Sequence, residues 1–349
     1  MRWPARLLAA GAALLTGVAL TACGVAPDPV IPSGPAPATA PAGATRAATT
    51  TAPAGPARFI PAAAVPATAL ALIAQARHTC DVELYELGNP ALIAALITDA
   101  HRGVVVHVIL DGTESQSRLA APVLRGAGVS VETVTLPHQG LDHVKLLVVD
   151  GSATLTGGVN WGVPSTDTTD ADVLLPSDPL AAQTFTADWL TAAHPVTSGA
   201  WPDPAGPGTW SGRAIATEAV QLIATSTGPI DVAANYATDW QFQDALAAAA
   251  ARGLTVRVVL NPTAYGATAA AQWLTAHGIR VREAPTRPYL HAKLLITGST
   301  GLIGSANFSY DAWSARNHEF DVTLPASVVP TATQWFATLW GASTPGAGP

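Results

Sequence analysis

Apolar residues along this chain fall into two kinds of run, and the two kinds alternate. Leu92, Ile93, Leu96, Ile97 and Ala100 recur at the three- and four-residue spacing of a single helix face, and Gly103 closes the stripe. Val104 to Leu110 follows, almost unbroken in aliphatic residues, as a strand covered on both faces should be. A second helical stretch, a short strand after Gly128 and a β-branched run from His143 to Asp150 come next. The same order returns later: helix Phe242 to Gly253, buried strand Leu254 to Leu260, a second helix, a short strand after Gly278, and a run beginning at His291. A shift of 150 positions lays Asp81-Val82 on Asp231-Val232, Arg102-Gly103 on Arg252-Gly253, and Val106, Val108 and Leu110 on Val256, Val258 and Leu260. The chain is a duplication. Strands alternating with helices predict an α/β fold, here two similar α/β sandwich halves packed as a pseudo-dimer. Their expected spans are 58–200 and 201–349, joined through the Pro-, Gly- and Trp-rich stretch Thr197 to Gly212.

The two ends break this pattern. Arg2 and Arg6 precede the apolar run Leu7 to Leu20, which has the form of a signal peptide over residues 1–22 and is short for a spanning helix. Residues 23–57 are largely Pro, Ala, Thr and Gly, with too little large apolar surface for a core, and predict a disordered tether whose ends sit about 30 Å apart. Gly341 to Pro349 reads as a small-residue tail. Of 349 residues 49% are hydrophobic, ample for two cores, and only 12% are charged. The net charge of −7 becomes −9 without residues 1–22, and so acidic a chain gains nothing from counterion release on nucleic acid. Of the two cysteines, Cys80 precedes a strand and is expected to be a buried small hydrophobe.

Candidate chemistry is concentrated in two stretches, HVKLLVVDGSATLTGGVN (His143 to Asn160) and HAKLLITGSTGLIGSAN (His291 to Asn307). Strand alternation puts His143 with Lys145, and His291 with Lys293, on one face. Gly157-Gly158 and Gly304-Ser305 then bring Asn160 and Asn307 to a turn where the backbone can approach a ligand closely. Two imidazoles, two ammoniums and two amides suit one composite site for a phosphate diester. One imidazole attacks phosphorus and the other protonates the leaving oxygen, while Lys145, Lys293, Asn160 and Asn307 stabilise the phosphoryl oxygens. Asp172 and Glu319, each twelve residues beyond its Asn, are the carboxylates expected to orient the histidines, with the pairing left open. Nothing in this scheme calls for a metal or cofactor, and no Cys/His cluster or paired-carboxylate spacing predicts a metal site. His78, His101, His107, His138, His194, His277 and His318 lack repeat partners and read as ordinary surface or core residues. Trp161, Phe308 and Trp313, close to the two Asn, are expected to pack between the halves.

The doubled pattern, H-x-K-x4-D with G-G-x-N and then H-x-K with G-S-x-N, resembles the phospholipase D (HKD) superfamily over about Ala57 to Leu339. That resemblance implies a metal-independent phosphodiesterase, with a phosphohistidine on His143 and with His291 as general acid and then base. It also implies that Asp150 supports the fold around the first motif, where Gly298 stands in the second. Leu20-Thr21-Ala22-Cys23-Gly24 resembles a bacterial lipobox, which implies a diacylglycerol on Cys23 that holds the protein outside the cytoplasm on the membrane; the protein is expected to be a monomer. A phospholipid is the expected substrate. An extracytoplasmic endonuclease, a cardiolipin synthase-like transferase and an inactive phosphate-binding lipoprotein are the alternatives.

Overall fold

The structure is a computed structural model that describes residues 55–163, 167–193 and 208–346. The first half runs β1 (Arg58–Pro61), α1 (Val65–Ile73), β2 (Thr79–Leu84), α2 (Pro90–His101), β3 (Val105–Asp111), α3 (Ser115–Gly126), β4 (Ser130–Val134), β5 (Lys145–Val149), β6 (Ala153–Gly157), β7 (Thr168–Thr169), β8 (Ala171–Leu175) and α4 (Pro179–Ala193). The second runs β9 (Thr209–Ser211), α5 (Gly212–Thr225), β10 (Ile230–Ala234), α6 (Trp240–Ala251), β11 (Val256–Leu260), α7 (Ala267–Ala276), β12 (Arg280–Glu283), β13 (Tyr289–Leu290), β14 (Lys293–Thr297), β15 (Thr300–Gly304), α8 (Tyr310–Trp313), β16 (Phe320–Thr323), α9 (Val329–Ala342) and β17 (Thr344–Pro345).

The duplication extends to the sheets. The first has the order β1-β8-β6-β5-β2-β3-β4; the second repeats it as β9-β16-β15-β14-β10-β11-β12 and adds β17 at the edge. In each, the parallel pairs β2–β3–β4 or β10–β11–β12 join antiparallel strands through β5 or β14. Local signals repeat as well. Asn89 caps α2 by accepting from Ala91 N and Leu92 N, and Asp239 caps α6 by accepting from Gln241 N and Phe242 N. Gly103 and Gly253 take φ of 87° and 86° just past those helices, a left-handed turn that a side chain disfavours.

Alternate residues of the central strands face two different cores. Leu147 and Val149 of β5 join the core of the first half, and Leu295 of β14 joins that of the second. Leu146 and Val148 meet Leu294 and Ile296 in a third core shared by both sheets, closed by Phe185 of α4 and Phe336 of α9. This shared core makes the halves one body, and it places the N-terminal ends of β5 and β14 side by side.

Several expectations change here. Trp161 packs in the core of the first half, and Phe308 and Trp313 in that of the second, where Phe308 stacks on Phe242 at 4.2 Å. The aromatics between the halves are Phe59, Phe185, Phe320 and Phe336, carried on β1, α4, β16 and α9. The first part of the expected C-terminal tail has regular structure: α9 continues to Ala342, and Thr344–Pro345 pairs with Arg282 and Glu283, while residues 347–349 lie outside the described residues. The end of the presumed junction is β9, paired with β16. Cys80 is a free, fully buried thiol. The signal peptide, Cys23, nearly all of the tether, and residues 197–207 of the junction lie outside the described residues.

Candidate active site

Each histidine lies just ahead of its strand, since β5 begins at Lys145 and β14 at Lys293. Strand alternation therefore does not fix their positions; cross-half bonding does. His143 N donates to His318 O at 2.9 Å, and His291 N donates to Thr169 O at 3.0 Å. Parallel pairing of β13 with β7 and a bridge between Asp142 and His318 extend the two contacts.

The side chains cross in the same way. His143 Nδ1 lies 2.9 Å from Oε2 of Glu319, a residue of the second half, and His291 Nδ1 lies 2.7 Å from Oδ2 of Asp170, a residue of the first. With Nδ1–H donated to a carboxylate, each ring leaves Nε2 for chemistry. Glu319 Oε2 also accepts from Ser305 Oγ at 2.6 Å. Asp170 Oδ1 accepts from Ala171 N at 2.8 Å, and a Cβ on Gly158 would come within 2.3 Å of that oxygen. Gly158 thus leaves the space the carboxylate fills, while Ser305, its counterpart, supplies a hydroxyl.

Asp172 does not orient a histidine. Its Oδ1 accepts from Val159 N at 3.1 Å, as Asp321 Oδ1 accepts from Ala306 N at 3.0 Å. Burial raises both carboxyls, Asp321 to about 8, so these are inward caps on the turns before the Asn. Gly157 and Gly304 are required because a Cβ on either would fall within 2.3 Å of these side chains. The orienting pair is Asp170 and Glu319. The signal was Asp170-Ala171-Asp172-Val173 against Glu319-Phe320-Asp321-Val322.

Lys145 Nζ donates to His143 O and Lys293 Nζ to His291 O, each at 2.5 Å. Lys293 Nζ also sits 3.0 and 3.1 Å from the two ring nitrogens of His291, and Lys145 Nζ lies 5.2 Å from the centre of the Tyr85 ring. Burial, and then the charge of Lys293, brings Lys145 down to about 7; burial brings Lys293 down to about 8. Burial also lowers both imidazoles, His291 to about 4 with help from Lys293. Asp170 and Glu319 go the other way. Burial works to raise them, but their bonded histidines and the nearby lysines hold both below the usual carboxylate range. The resting site thus pairs neutral imidazoles with ionised carboxylates. Asn160 Oδ1 and Asn307 Oδ1 are buried without a hydrogen-bond donor among the described residues.

Asp150 is remote from this chemistry. At φ 50° its carboxylate accepts from the backbone N–H groups of Arg77, His78 and Thr79 at 2.7 to 3.1 Å, tying the turn after β5 to the loop before β2. Gly298, at φ 72°, does without the carboxylate: its N–H bonds Pro229 O, and its Cα packs against Gly228.

The family model described as cardiolipin synthase, PLD-like domain, matches residues 69–189 and again 219–340, one match for each half. The chain belongs to the phospholipase D superfamily. A mitochondrial cardiolipin hydrolase of Xenopus tropicalis is 32% identical over 119 residues, covering 33% of this chain and 55% of that protein. A phospholipase D of Rickettsia prowazekii (strain Madrid E) is 25% identical over 134 residues, 38% of this chain and 64% of its own length. The chain thus spans between half and two thirds of these relatives. The fold also matches the crystal structure of phosphatidylserine synthase from Haemophilus influenzae Rd KW20, with a TM-score of 0.64 and 12% identity, over 84% of this chain and 88% of that one. The duplicated motif and the duplicated family match coincide.

Proposed function

We propose that the protein is a phosphodiesterase that acts through a phosphohistidine on His143, with a phospholipid head-group ester as substrate. One observation carries this reading: two imidazoles, each held at Nδ1 by a carboxylate from the opposite half, beside two buried lysines. A diester anion seated between Lys145 and Lys293 relieves their mutual repulsion and raises both toward full protonation. Burial is the main cause of the low His291 value, but the anion also offsets the Lys293 charge that adds to it, which favours a proton on His291 as substrate binds. His143 Nε2 then attacks phosphorus while Glu319 accepts from Nδ1–H, and His291 Nε2–H protonates the departing alkoxide. Neutral His291 next takes a proton from water, whose oxygen displaces His143 from the phosphoryl group.

A lipid substrate is supported by acidity, which disfavours DNA, and by exposed Trp240, Tyr265 and Tyr289 in the segments after β10, after β11 and just before His291. Such rings suit the water–bilayer boundary. A lipid-anchored location follows from the lipobox at Cys23: a Cys23→Ala variant leaves the membrane fraction and keeps its turnover of a short soluble diester. No helix among the described residues is long and apolar enough to cross a membrane. The decisive experiment uses a p-nitrophenyl diester, whose leaving oxygen needs no proton. His143→Ala abolishes turnover, whereas His291→Ala gives one substoichiometric burst and an acid-labile phosphoryl label on His143. A burst in His143→Ala reverses the roles, and no burst in either variant means direct attack by water. Labelled phosphatidylcholine, phosphatidylglycerol and plasmid DNA, offered with and without glycerol as acceptor, separate phospholipase, transferase and nuclease.

A further inference from the structure

Beside the His143 side of the phosphate site lies a second buried polar cluster. Glu83 of β2, Asp142 ahead of β5, Asp188 of α4 and His318 ahead of β16 are between 0% and 4% exposed. His318 Nε2 lies 3.3 Å from Glu83 Oε1 and 3.3 Å from Asp188 Oδ2, and one donor atom from each of these three residues lies within 4.8 Å of the others. Every side-chain oxygen of Glu83, Asp142 and Asp188 is buried without a hydrogen-bond partner of acceptable geometry among the described residues. Buried carboxylates left in that state are strongly unfavourable.

The duplication supplies a control for what the fold itself requires. Strand register makes Ala233 the counterpart of Glu83, and their places just before His143 and His291 make Leu290 that of Asp142. The matching bonds to the two histidine N–H groups make Thr169 the counterpart of His318. The shared spacing of Phe185 to Trp189 and Phe336 to Trp340 makes Leu339 that of Asp188. Ala233, Leu290 and Leu339 are buried apolar residues of the same shared core. The architecture is therefore satisfied by Ala, Leu and Leu, and one side alone carries three carboxylates and an imidazole instead. As a metal ligand His318 would be neutral, and the three carboxylates, ionised, would present three negative charges, two of which a divalent cation offsets.

We infer that Glu83, Asp188 and His318, with Asp142 alongside, form a structural site for one divalent transition-metal ion, Zn2+ or Mn2+. Imidazole with carboxylates is a donor set that suits these ions. Metal–ligand bonds of about 2.1 Å place neighbouring donors about 3 to 3.4 Å apart, which is the spacing around His318 Nε2. The ion takes no part in phosphoryl transfer. It anchors His318, whose carbonyl receives the His143 N–H and whose chain neighbour Glu319 orients the His143 ring. Sequence spacing hid the set, because its members come from four separated segments. So deep a site fills as the chain folds, and it yields its ion to a chelator only on unfolding.

The test is metal content together with thermal stability. Full-length protein is unfolded in guanidinium with EDTA, refolded with or without one equivalent of Zn2+ or Mn2+, and gel-filtered. The expected result is one retained ion per chain and a Tm higher by about 5 °C or more than that of the metal-free refolded protein. Asp188→Asn and Glu83→Gln each lose the ion and the Tm increment. X-ray absorption of the wild-type protein alone, which needs no variant, shows a nitrogen/oxygen shell with one imidazole. No retained ion with an unchanged Tm overturns the proposal. So does retention that both variants leave intact, or a Glu83→Gln Tm above wild type, which identifies a protonated carboxyl in place of a metal ligand.

Discussion

Lys145 and Lys293 set the alkaline behaviour of the site. Both must be charged to receive a diester, yet they lose protons at about 7 and about 8 in the free protein. The pH profile of kcat/KM on a soluble diester is therefore expected to fall about tenfold per unit between pH 7 and 8 and about a hundredfold per unit well above pH 8. A profile flat to pH 10 contradicts the depressed lysines. His291 governs an acid-side effect on folding. Its folded value of about 4 lies below the unfolded value of about 6.5, so the unfolded chain binds the extra proton between them. The stability that follows is complete above pH 6.5 and is lost as pH falls toward 4. Urea titrations of wild type and His291→Gln should converge over that window. Gly158→Ala drives a methyl into the Asp170 carboxylate that holds His291, so kcat is expected to fall about 100-fold in a protein that still folds. Equal activity in Gly158→Ala would mean that Asp170 does not orient the ring. Asp170 is also the residue that counting missed. The positions differ by ten from Asn160 to Asp170 and by twelve from Asn307 to Glu319, and the second of these loops carries α8. A fixed count of twelve therefore stopped on Asp172, two residues too far.

Individual elements were legible wherever one periodicity or one stop signal dominated. The stripe of α2, its Gly103 stop and the aliphatic run of β3 lie within a residue or two of their expected limits. The C-terminal strand was not legible, since Thr344-Pro345 has no apolar pattern and owes its order to the edge of β12. Nor was the place of the histidines, which is fixed by backbone bonds between segments more than a hundred residues apart. Asp150 shows how one element substitutes for another. Three backbone donors converge on its carboxylate, so Asp150→Ala should cost about 2 kcal/mol in urea unfolding, with the chemistry of the folded fraction unchanged. Asp150→Gly should cost less, because the position sits at positive φ. A loss of kcat without a loss of stability would place Asp150 in the catalytic machinery instead.

For the whole molecule, the repeat announced two copies, and the family match found the same two. What the repeat left hidden was their mutual dependence: each histidine answers to a carboxylate of the other copy, and the inner faces of both sheets share one core. Residues 55–193 and 208–346 expressed apart should therefore be insoluble and inactive, whereas co-expression should restore a measurable fraction of activity. Activity in either piece alone would refute the crossed site. Such an arrangement also bears on divergence. Two identical chains meeting in this way would carry every innovation twice, once on each side of the axis. A single fused chain is free of that constraint. It keeps Leu290 and Leu339 where apolar filling suffices, and places Asp142 and Asp188 at the matching points near one histidine alone. The linkage between the copies thus gives the protein permission to be asymmetric, and its two histidines can specialise in different steps of one reaction.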